Sequence, residues 1–244
     1  MILMPDLGSV TAAAAGGILP ALAWLWFWRR EDAKNPEPRR VIALAFLAGV
    51  VAVGVVIPLE KMVQPYIGSQ TLLFTAWSAM EELTKFGLAL LVVLRSREVD
   101  EPIDNVIYMV TVALGFAAAE NTLFLLSPLS GGTLVQTVLT GDLRFVGATL
   151  LHVLSSAVIG VALALAFYKS RRLKVRYAVV GVILAAALHS LFNFLILNTP
   201  EEHLLRTFGL VWLGLIVLLA MLEYIKRIHP TVVKNISKKM TWRS

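Results

Sequence analysis

The chain has 244 residues, of which 58% are hydrophobic and 16% are charged, and its mean hydropathy is +0.77. This composition excludes an ordinary soluble globular domain and is typical of a membrane protein with several spans. The absence of cysteine excludes disulfide bonds and thiolate metal sites. The net charge of +6 says less than the positions of the basic residues do.

A membrane-spanning helix needs about 20 mostly apolar residues. Seven such segments occur along the chain, and they predict an all-α, polytopic membrane helix bundle. Because the connections are short and no internal repeat is visible, residues 1–244 are expected to form a single integral membrane domain. The predicted spans are 9–28, 41–58, 71–94, 104–126, 144–168, 177–198 and 207–225.

The basic residues predict the orientation of these spans. Segments 29–40, 95–102, 169–176 and the tail from Lys226 contain eighteen Lys and Arg residues, whereas the three alternating connections and their edges contain three, Lys61, Arg144 and Arg206. Lys and Arg concentrate in cytoplasmic loops, so the N-terminus is predicted to lie outside and the C-terminus in the cytoplasm. We therefore expect a multi-pass protein of the cell membrane whose basic loops contact membrane lipid and no nucleic acid.

Polar side chains interrupt four of the predicted spans, where such groups are rare and usually face the interior of a bundle. At a rise of ~1.5 Å per residue, one such group or more in each of the four helices lies about 8–15 Å from the outer end. This common depth predicts one shared site that is reached from outside. The residues are Glu81, Glu82 and Lys85 in the third span, Glu120 and Asn121 in the fourth, His152 in the fifth, and His189 and Asn193 in the sixth.

These groups are compatible with two kinds of chemistry. A carboxyl group in a low-dielectric environment can act as a general base or acid near neutral pH, and an imidazole or a carboxamide can donate a hydrogen bond to an oxyanion. A water held between a carboxylate and a histidine could then attack an amide. Two histidines and two carboxylates also suit zinc or iron, and the candidate ligands are Glu81, Glu120, His152 and His189.

The order and spacing of these residues resemble those of a known family. The motifs that carry the resemblance are EExxK at 81–85, FxxxEN at 116–121, a lone His152 and HxxxN at 189–193. The segment DEPIDNVIYMVTVALGFAAAEN (100–121) adds an acidic, Pro-containing entry to its helix. Over about 71–195, which we take as the catalytic core, the chain is similar to the PrsW intramembrane proteases of the CAAX protease and bacteriocin-processing superfamily.

The resemblance implies a hydrolase that cleaves a membrane-anchored protein with a single span, such as an anti-sigma factor. It implies that Glu81 activates the water and that His189 and Asn193 hold the oxyanion. Glu82 would orient Glu81 or pair with Lys85.

At the position of Glu120 the CAAX endopeptidases have a histidine, and the depth of His152 suggests that His152 supplies the missing imidazole. The family has been described both as metal-dependent and as glutamate-based. A glutamate-based mechanism without a cofactor is the expectation here, and zinc or another divalent metal is the alternative.

Other functions remain open from the residues alone. Buried Glu and His also serve proton- or ion-coupled transporters, although those often use broken helices and inverted repeats, and no proline lies in the four polar predicted spans. A non-catalytic scaffold that binds a partner helix is a third interpretation. Glu81 and Lys85 share a helix face and could form a buried ion pair without further function.

Overall fold

The computed structural model describes residues 7–31, 35–131, 147–198 and 204–228. These residues form seven α-helices and no strand, which confirms the predicted all-α fold. The helices are α1 (Leu7–Glu31), α2 (Arg39–Val63), α3 (Gln70–Val92), α4 (Asp104–Gly131), α5 (Thr149–Leu165), α6 (Arg171–Asn198) and α7 (Leu204–Ile225), and a short 3₁₀ turn (Gln64–Tyr66) follows α2.

Several helices extend beyond the predicted spans. The α2 helix continues through Pro58, because a proline removes one backbone donor without necessarily ending a helix. The α4 helix continues past Pro128, so the prediction that no proline lies in the four polar helices was wrong. The first residues of the fifth predicted span, 144–146, lie outside the described residues.

Length and composition agree with a membrane environment. Four segments are long and apolar enough to cross a membrane: Leu7–Glu31, Arg39–Tyr66, Asp104–Leu126 and Arg171–Leu195. Two further apolar helices in the described part of the chain are shorter. The α3 helix has 23 residues, which is also sufficient to span, but it carries three ionisable side chains at its centre.

The α4 helix lies at the centre of the bundle. Its residues 104–118 are all buried, and it packs against α1, α2 and α5. Helices α2, α3, α6, α5 and α4 contact one another in that closed order, whereas α3 makes fewer contacts with α4 and α5. The interior that this ring encloses is therefore bordered by all four helices on which the polar residues were predicted.

Small residues allow the other helices to approach α4 closely. A Cβ atom at Gly49 on α2 would overlap the backbone of Val112, and one at Gly160 on α5 would overlap the backbone around Val106. Small residues permit such close packing between membrane helices. Asn121 adds a hydrogen bond from α4 to Thr149 of α5 (3.0 Å), which links the two helices.

Two helix starts that position the site are capped by side chains. Ser69 Oγ accepts a hydrogen bond from the backbone N–H of Leu72 at the start of α3 (3.4 Å). At the start of α4, the Asp104 carboxylate accepts hydrogen bonds from the backbone N–H groups of Asp100 (2.9 Å) and Glu101 (2.6 Å). These caps set the ends of α3 and α4 outside the polar interior.

Candidate active site

Glu82 is the most completely bonded carboxylate of the cluster. Its Oε1 accepts hydrogen bonds from Lys85 Nζ (2.5 Å) and from His189 Nδ1 (2.9 Å), and its Oε2 accepts one from Ser156 Oγ (2.8 Å). The Glu82 and Lys85 side chains are 0% exposed. Glu82 thus joins α3, α5 and α6, and its oxygens are occupied by protein donors.

Glu81 differs from its neighbour, although the two residues are adjacent in sequence. Its Oε2 is buried and accepts no hydrogen bond within the described residues. The nearest basic atoms are His152 Nδ1 at 3.7 Å and His189 Nε2 at 3.8 Å. Burial of an unpaired carboxylate oxygen is costly, so Glu81 is the carboxylate that has an oxygen free for a further ligand.

The two contacts of His152 define its tautomer. The Lys85 ammonium has only donors and lies 3.2 Å from His152 Nδ1, so Nδ1 accepts. The proton is then on Nε2, which donates to Glu120 Oε2 (2.9 Å). His152 is therefore a neutral imidazole between Glu120 and Lys85, and its Nδ1, which accepts the Lys85 hydrogen bond, is also the ring atom nearest to Glu81 Oε2.

His189 repeats this arrangement on α6. Its Nδ1 donates to Glu82 Oε1, which leaves the Nε2 lone pair directed towards Glu81. The rings of His152 and His189 meet edge to face with centroids 5.0 Å apart. Each histidine thus donates a hydrogen bond to one carboxylate, and its other ring nitrogen lies nearest to Glu81.

Glu81, His152 Nδ1 and His189 Nε2 form a donor set that suits a metal ion, which at Nδ1 would replace the hydrogen bond from Lys85. One ligand atom from each of Glu81, His152 and His189 lies within 4.8 Å of the others. Zinc bonds of about 2.0–2.2 Å would place ligand atoms about 3.4 Å apart, and a His₂Glu set is known for catalytic zinc. Metal-binding histidines commonly donate their second N–H to a carboxylate, as both histidines do here.

Glu120 was also predicted as a possible ligand, but the structure places it behind His152 and outside the three-residue set. Its side chain is 22% exposed, compared with 11% for Glu81, 3% for the two histidines and 0% for Glu82. The cluster is therefore most accessible on the side of Glu120, towards the C-terminal end of α4.

An aromatic side chain packs against two residues of the polar cluster. Phe116 is 2% exposed, and its ring centroid lies 5.0 Å from that of His152 and 4.6 Å from Lys85 Nζ. The ring face attracts the ammonium group. Phe116 thus holds Lys85 and His152 at one side of the cluster, which explains the use of an aromatic residue four positions before Glu120.

Asn193 lies one turn beyond His189 and donates to Ser78 Oγ on α3 (3.2 Å). No contact joins it to Glu81 in the described structure, but the amide has a second N–H that this bond does not use. Asn193 therefore borders the cluster, whereas the other five predicted site residues are joined to it directly.

Two residues of the site, Ser156 and Glu60, were not predicted from the sequence. Ser156 lies four residues after His152 and therefore on the same helix face, a spacing that could have indicated it. Glu60 was placed in an outer connection because the predicted second span ended at Pro58. It lies in α2 close enough to Glu120 and Glu81 for electrostatic interaction.

Comparison with known proteins identifies the family. The profile described as "PrsW family intramembrane metalloprotease" matches residues 37–222. The chain is 24% identical over 188 residues to "Protease PrsW" of Bacillus subtilis (76% of this chain, 83% of the relative) and 27% identical over 186 residues to that of Geobacillus kaustophilus (75% and 79%). It is 26% identical over 211 residues to that of Oceanobacillus iheyensis (84% and 92%).

No solved structure matches the chain. The profile nevertheless covers most of the sequence, including every residue of the polar cluster, and the apolar helices agree with a membrane location. The chain therefore belongs to the PrsW family of intramembrane proteases and is a multi-pass membrane protein.

Proposed function

We propose that this protein is an endopeptidase that cleaves single-span, membrane-anchored proteins, such as an anti-sigma factor, with Glu81, His152 and His189 holding a divalent metal ion. The observation that carries the proposal is the Glu81 Oε2 atom, which accepts no hydrogen bond among the described residues and lies 3.7 Å from His152 Nδ1 and 3.8 Å from His189 Nε2. An amide hydrolase needs a carboxylate or a metal ion beside the water that attacks the amide, because that group activates the water.

The charges of the cluster support a divalent ion. Glu81, Glu82 and Glu120 are three carboxylates and Lys85 is one cation, and neutral imidazole rings at His152 and His189 add no charge. Ionised carboxylates therefore leave two excess negative charges in a poorly solvated interior, where uncompensated charge is costly. A divalent cation neutralises that excess and gives Glu81 Oε2 a partner.

The residues of the site have distinct roles under this proposal. A divalent ion held by Glu81, His152 and His189 would supply Lewis-acid polarisation of a water and of the scissile carbonyl. Glu82 orients His189, and Glu120 orients His152, by accepting a hydrogen bond from the ring N–H group. Asn193 has a second N–H, not used by its bond to Ser78, that could donate to the developing oxyanion.

The accessible side of the cluster supports a membrane-anchored substrate. Exposure falls from Glu120 inward, and Glu120, Asn193 and Glu60 all belong to the C-terminal halves of α4, α6 and α2. The basic loops predict that these helix ends face outwards. A peptide bond near the outer membrane boundary of a single-span protein would therefore reach the cluster first.

The test uses the purified full chain in detergent with a single-span anti-sigma-type substrate. Glu81→Gln should abolish cleavage while expression and membrane insertion persist, and the exposed Glu98→Gln should leave cleavage unchanged. Normal cleavage by Glu81→Gln would remove Glu81 from the mechanism. Intact substrate together with ion flux in vesicles would indicate a transporter instead.

Metal dependence has its own measurement. Elemental analysis of active protein should give about one zinc or other divalent ion per chain, and dialysis against a chelator should remove both the ion and the activity. His189→Ala should lower the bound metal in the same analysis. Full activity in metal-free protein would contradict the metal proposal and would assign water activation to Glu81 directly.

A further inference from the structure

A large groove lies outside the polar cluster, on the membrane-facing side of α3 and α6. Its volume is about 920 Å³. Its walls are mainly apolar and include Leu83, Phe86 and Leu90 from α3 and Val175, Val179 and Ile183 from α6. Several of these side chains are more than half exposed, among them Leu83 (55%) and Ile183 (61%), so the groove is open to its surroundings.

One end of the groove is strongly basic. Arg95, which follows α3, and Arg171 and Lys174, in the first turn of α6, all line it, and no acidic residue does. None of the three cations is within ion-pair distance of an acidic side chain among residues 7–31, 35–131, 147–198 and 204–228. These charges are therefore available to a ligand.

The same end also contains an unused hydrogen-bonding group. Ser96 Oγ is buried and has no hydrogen-bond partner in the described part of the chain. Ser96 lines the groove next to Arg95. A buried hydroxyl usually has a partner, so this atom indicates that an acceptor or donor from a bound molecule belongs at the basic end.

The dimensions of the groove fit an acyl chain. From Arg171 to Ala186, both of which line it, α6 rises about 22 Å at ~1.5 Å per residue. One leaflet contributes about half of the ~30 Å hydrocarbon core. The apolar walls are therefore long enough for an acyl chain that starts at a headgroup beside Arg171 and runs towards the middle of the bilayer.

We propose that this groove binds an anionic phospholipid, with the phosphate at Arg95, Ser96, Arg171 and Lys174 and an acyl chain between α3 and α6. Basic pockets between membrane helices on the cytoplasmic side suit anionic headgroups, and the basic loops predict that this end is cytoplasmic. The helix of a single-span protein substrate fits less well, because its cytoplasmic flank also carries Lys and Arg and would be repelled.

The lipid would contact the two helices that form part of the polar cluster. Helix α3 carries Glu82 and α6 carries His189, and these residues join the helices by a 2.9 Å hydrogen bond on the inner side of the same contact. A lipid in the groove would stabilise the packing of α3 against α6 from the face of the two helices that points away from the polar cluster. The lipid site is nevertheless independent of catalysis, and its test needs no protease activity.

The experiment measures binding of phosphatidylglycerol to the purified full chain in detergent by native mass spectrometry. Phosphatidylcholine and inorganic phosphate at matched concentration serve as the other probes. The groove variant is Arg95→Gln, Arg171→Gln and Lys174→Gln. The control variant removes three neighbouring exposed cations that do not line the groove: Arg97→Gln, Arg172→Gln and Arg176→Gln.

We expect the parent to bind one phosphatidylglycerol per chain and little phosphatidylcholine. The affinity for phosphatidylglycerol should be lower by about tenfold or more in the groove variant and close to the parent value in the control variant. Equal loss in both variants, or equal binding of both lipids, would overturn the proposal. If inorganic phosphate, which has no acyl chain, binds and prevents the lipid from binding, the basic end would instead be a site for free phosphate.

A second pair of variants tests the apolar part without changing charge. Val179→Trp fills the groove, whereas Val180→Trp adds the same side chain at a position that is equally exposed (53% and 52%) but outside it. Only Val179→Trp should reduce lipid retention. Unchanged retention in this variant, or competition by a single-span peptide, would contradict an acyl chain as the occupant.

Discussion

The adjacent residues Glu81 and Glu82 should respond oppositely to the same substitution. Glu82→Gln removes the charge that compensates Lys85, and both side chains are 0% exposed. Loss of one partner from a buried ion pair costs about 3–5 kcal/mol. Glu81→Gln replaces a carboxylate whose Oε2 accepts no hydrogen bond among the described residues. We therefore expect a free energy of unfolding that is within about 0.5 kcal/mol of the parent value or above it.

The magnitude for Glu82 can be separated from a general packing effect by a double-mutant cycle. In Glu82→Gln with Lys85→Met, neither member of the Glu82–Lys85 pair keeps its charge, and replacement of a whole buried pair is often close to neutral. The double variant should therefore be more stable than Glu82→Gln alone by about 1–3 kcal/mol, a coupling typical of residues in contact.

The assay is unfolding in mixed detergent micelles with increasing denaturing detergent, in the presence of a chelator so that metal loss does not contribute. The free energy of unfolding is compared between the parent, the single variants Glu81→Gln, Glu82→Gln and Lys85→Met, and the Glu82→Gln, Lys85→Met double variant. Equal destabilisation by Glu81→Gln and Glu82→Gln would refute the assignment of Glu82 as the positioning carboxylate and Glu81 as the reactive one.

Three further outcomes are expected. Gly49→Ala should destabilise the protein by about 1–3 kcal/mol or more because its Cβ would overlap the α4 backbone, whereas Gly54→Ala, with nothing within 4 Å, should be neutral or stabilising; thermal unfolding compares them. Asn121→Leu should cost about 0.6–1.7 kcal/mol in the same assay and leave proteolysis intact, since its bond links two helices outside the reacting groups. Glu120→Gln should weaken metal binding or activity about 10–100-fold through loss of the carboxylate behind His152, and an unchanged metal titration would contradict this role.

The fold could be predicted largely from apolar segment length, but the helix ends could not. Hydropathy does not detect the first turns of α6 from Arg171, because basic side chains there can extend to the interface while the backbone stays helical. It also ended the second span at Pro58, and Glu60 was therefore assigned to a connection although α2 continues to Val63.

The site could be predicted as a cluster because i,i+4 spacing and common depth place Glu81, His152 and His189 on facing surfaces. The bonding within the cluster could not. The helix spacing suggested Glu81 as the partner of Lys85, whereas the structure pairs Lys85 with Glu82, the alternative that the resemblance also allowed. Which of two adjacent carboxylates receives the donors depends on helix rotation, and Ser156 and His189 lie on other helices.

The local nature of the Glu82–Lys85 pair has a consequence for biogenesis. These residues are three positions apart on one helix, so α3 can carry both charges into the translocon as a neutral pair before any later helix has been synthesised. A lone Lys at the centre of an inserting helix costs about 2.5–3.5 kcal/mol. His189, by contrast, follows 107 residues after Glu82, so a nascent chain remains without its complete reactive centre until α6 has emerged from the ribosome.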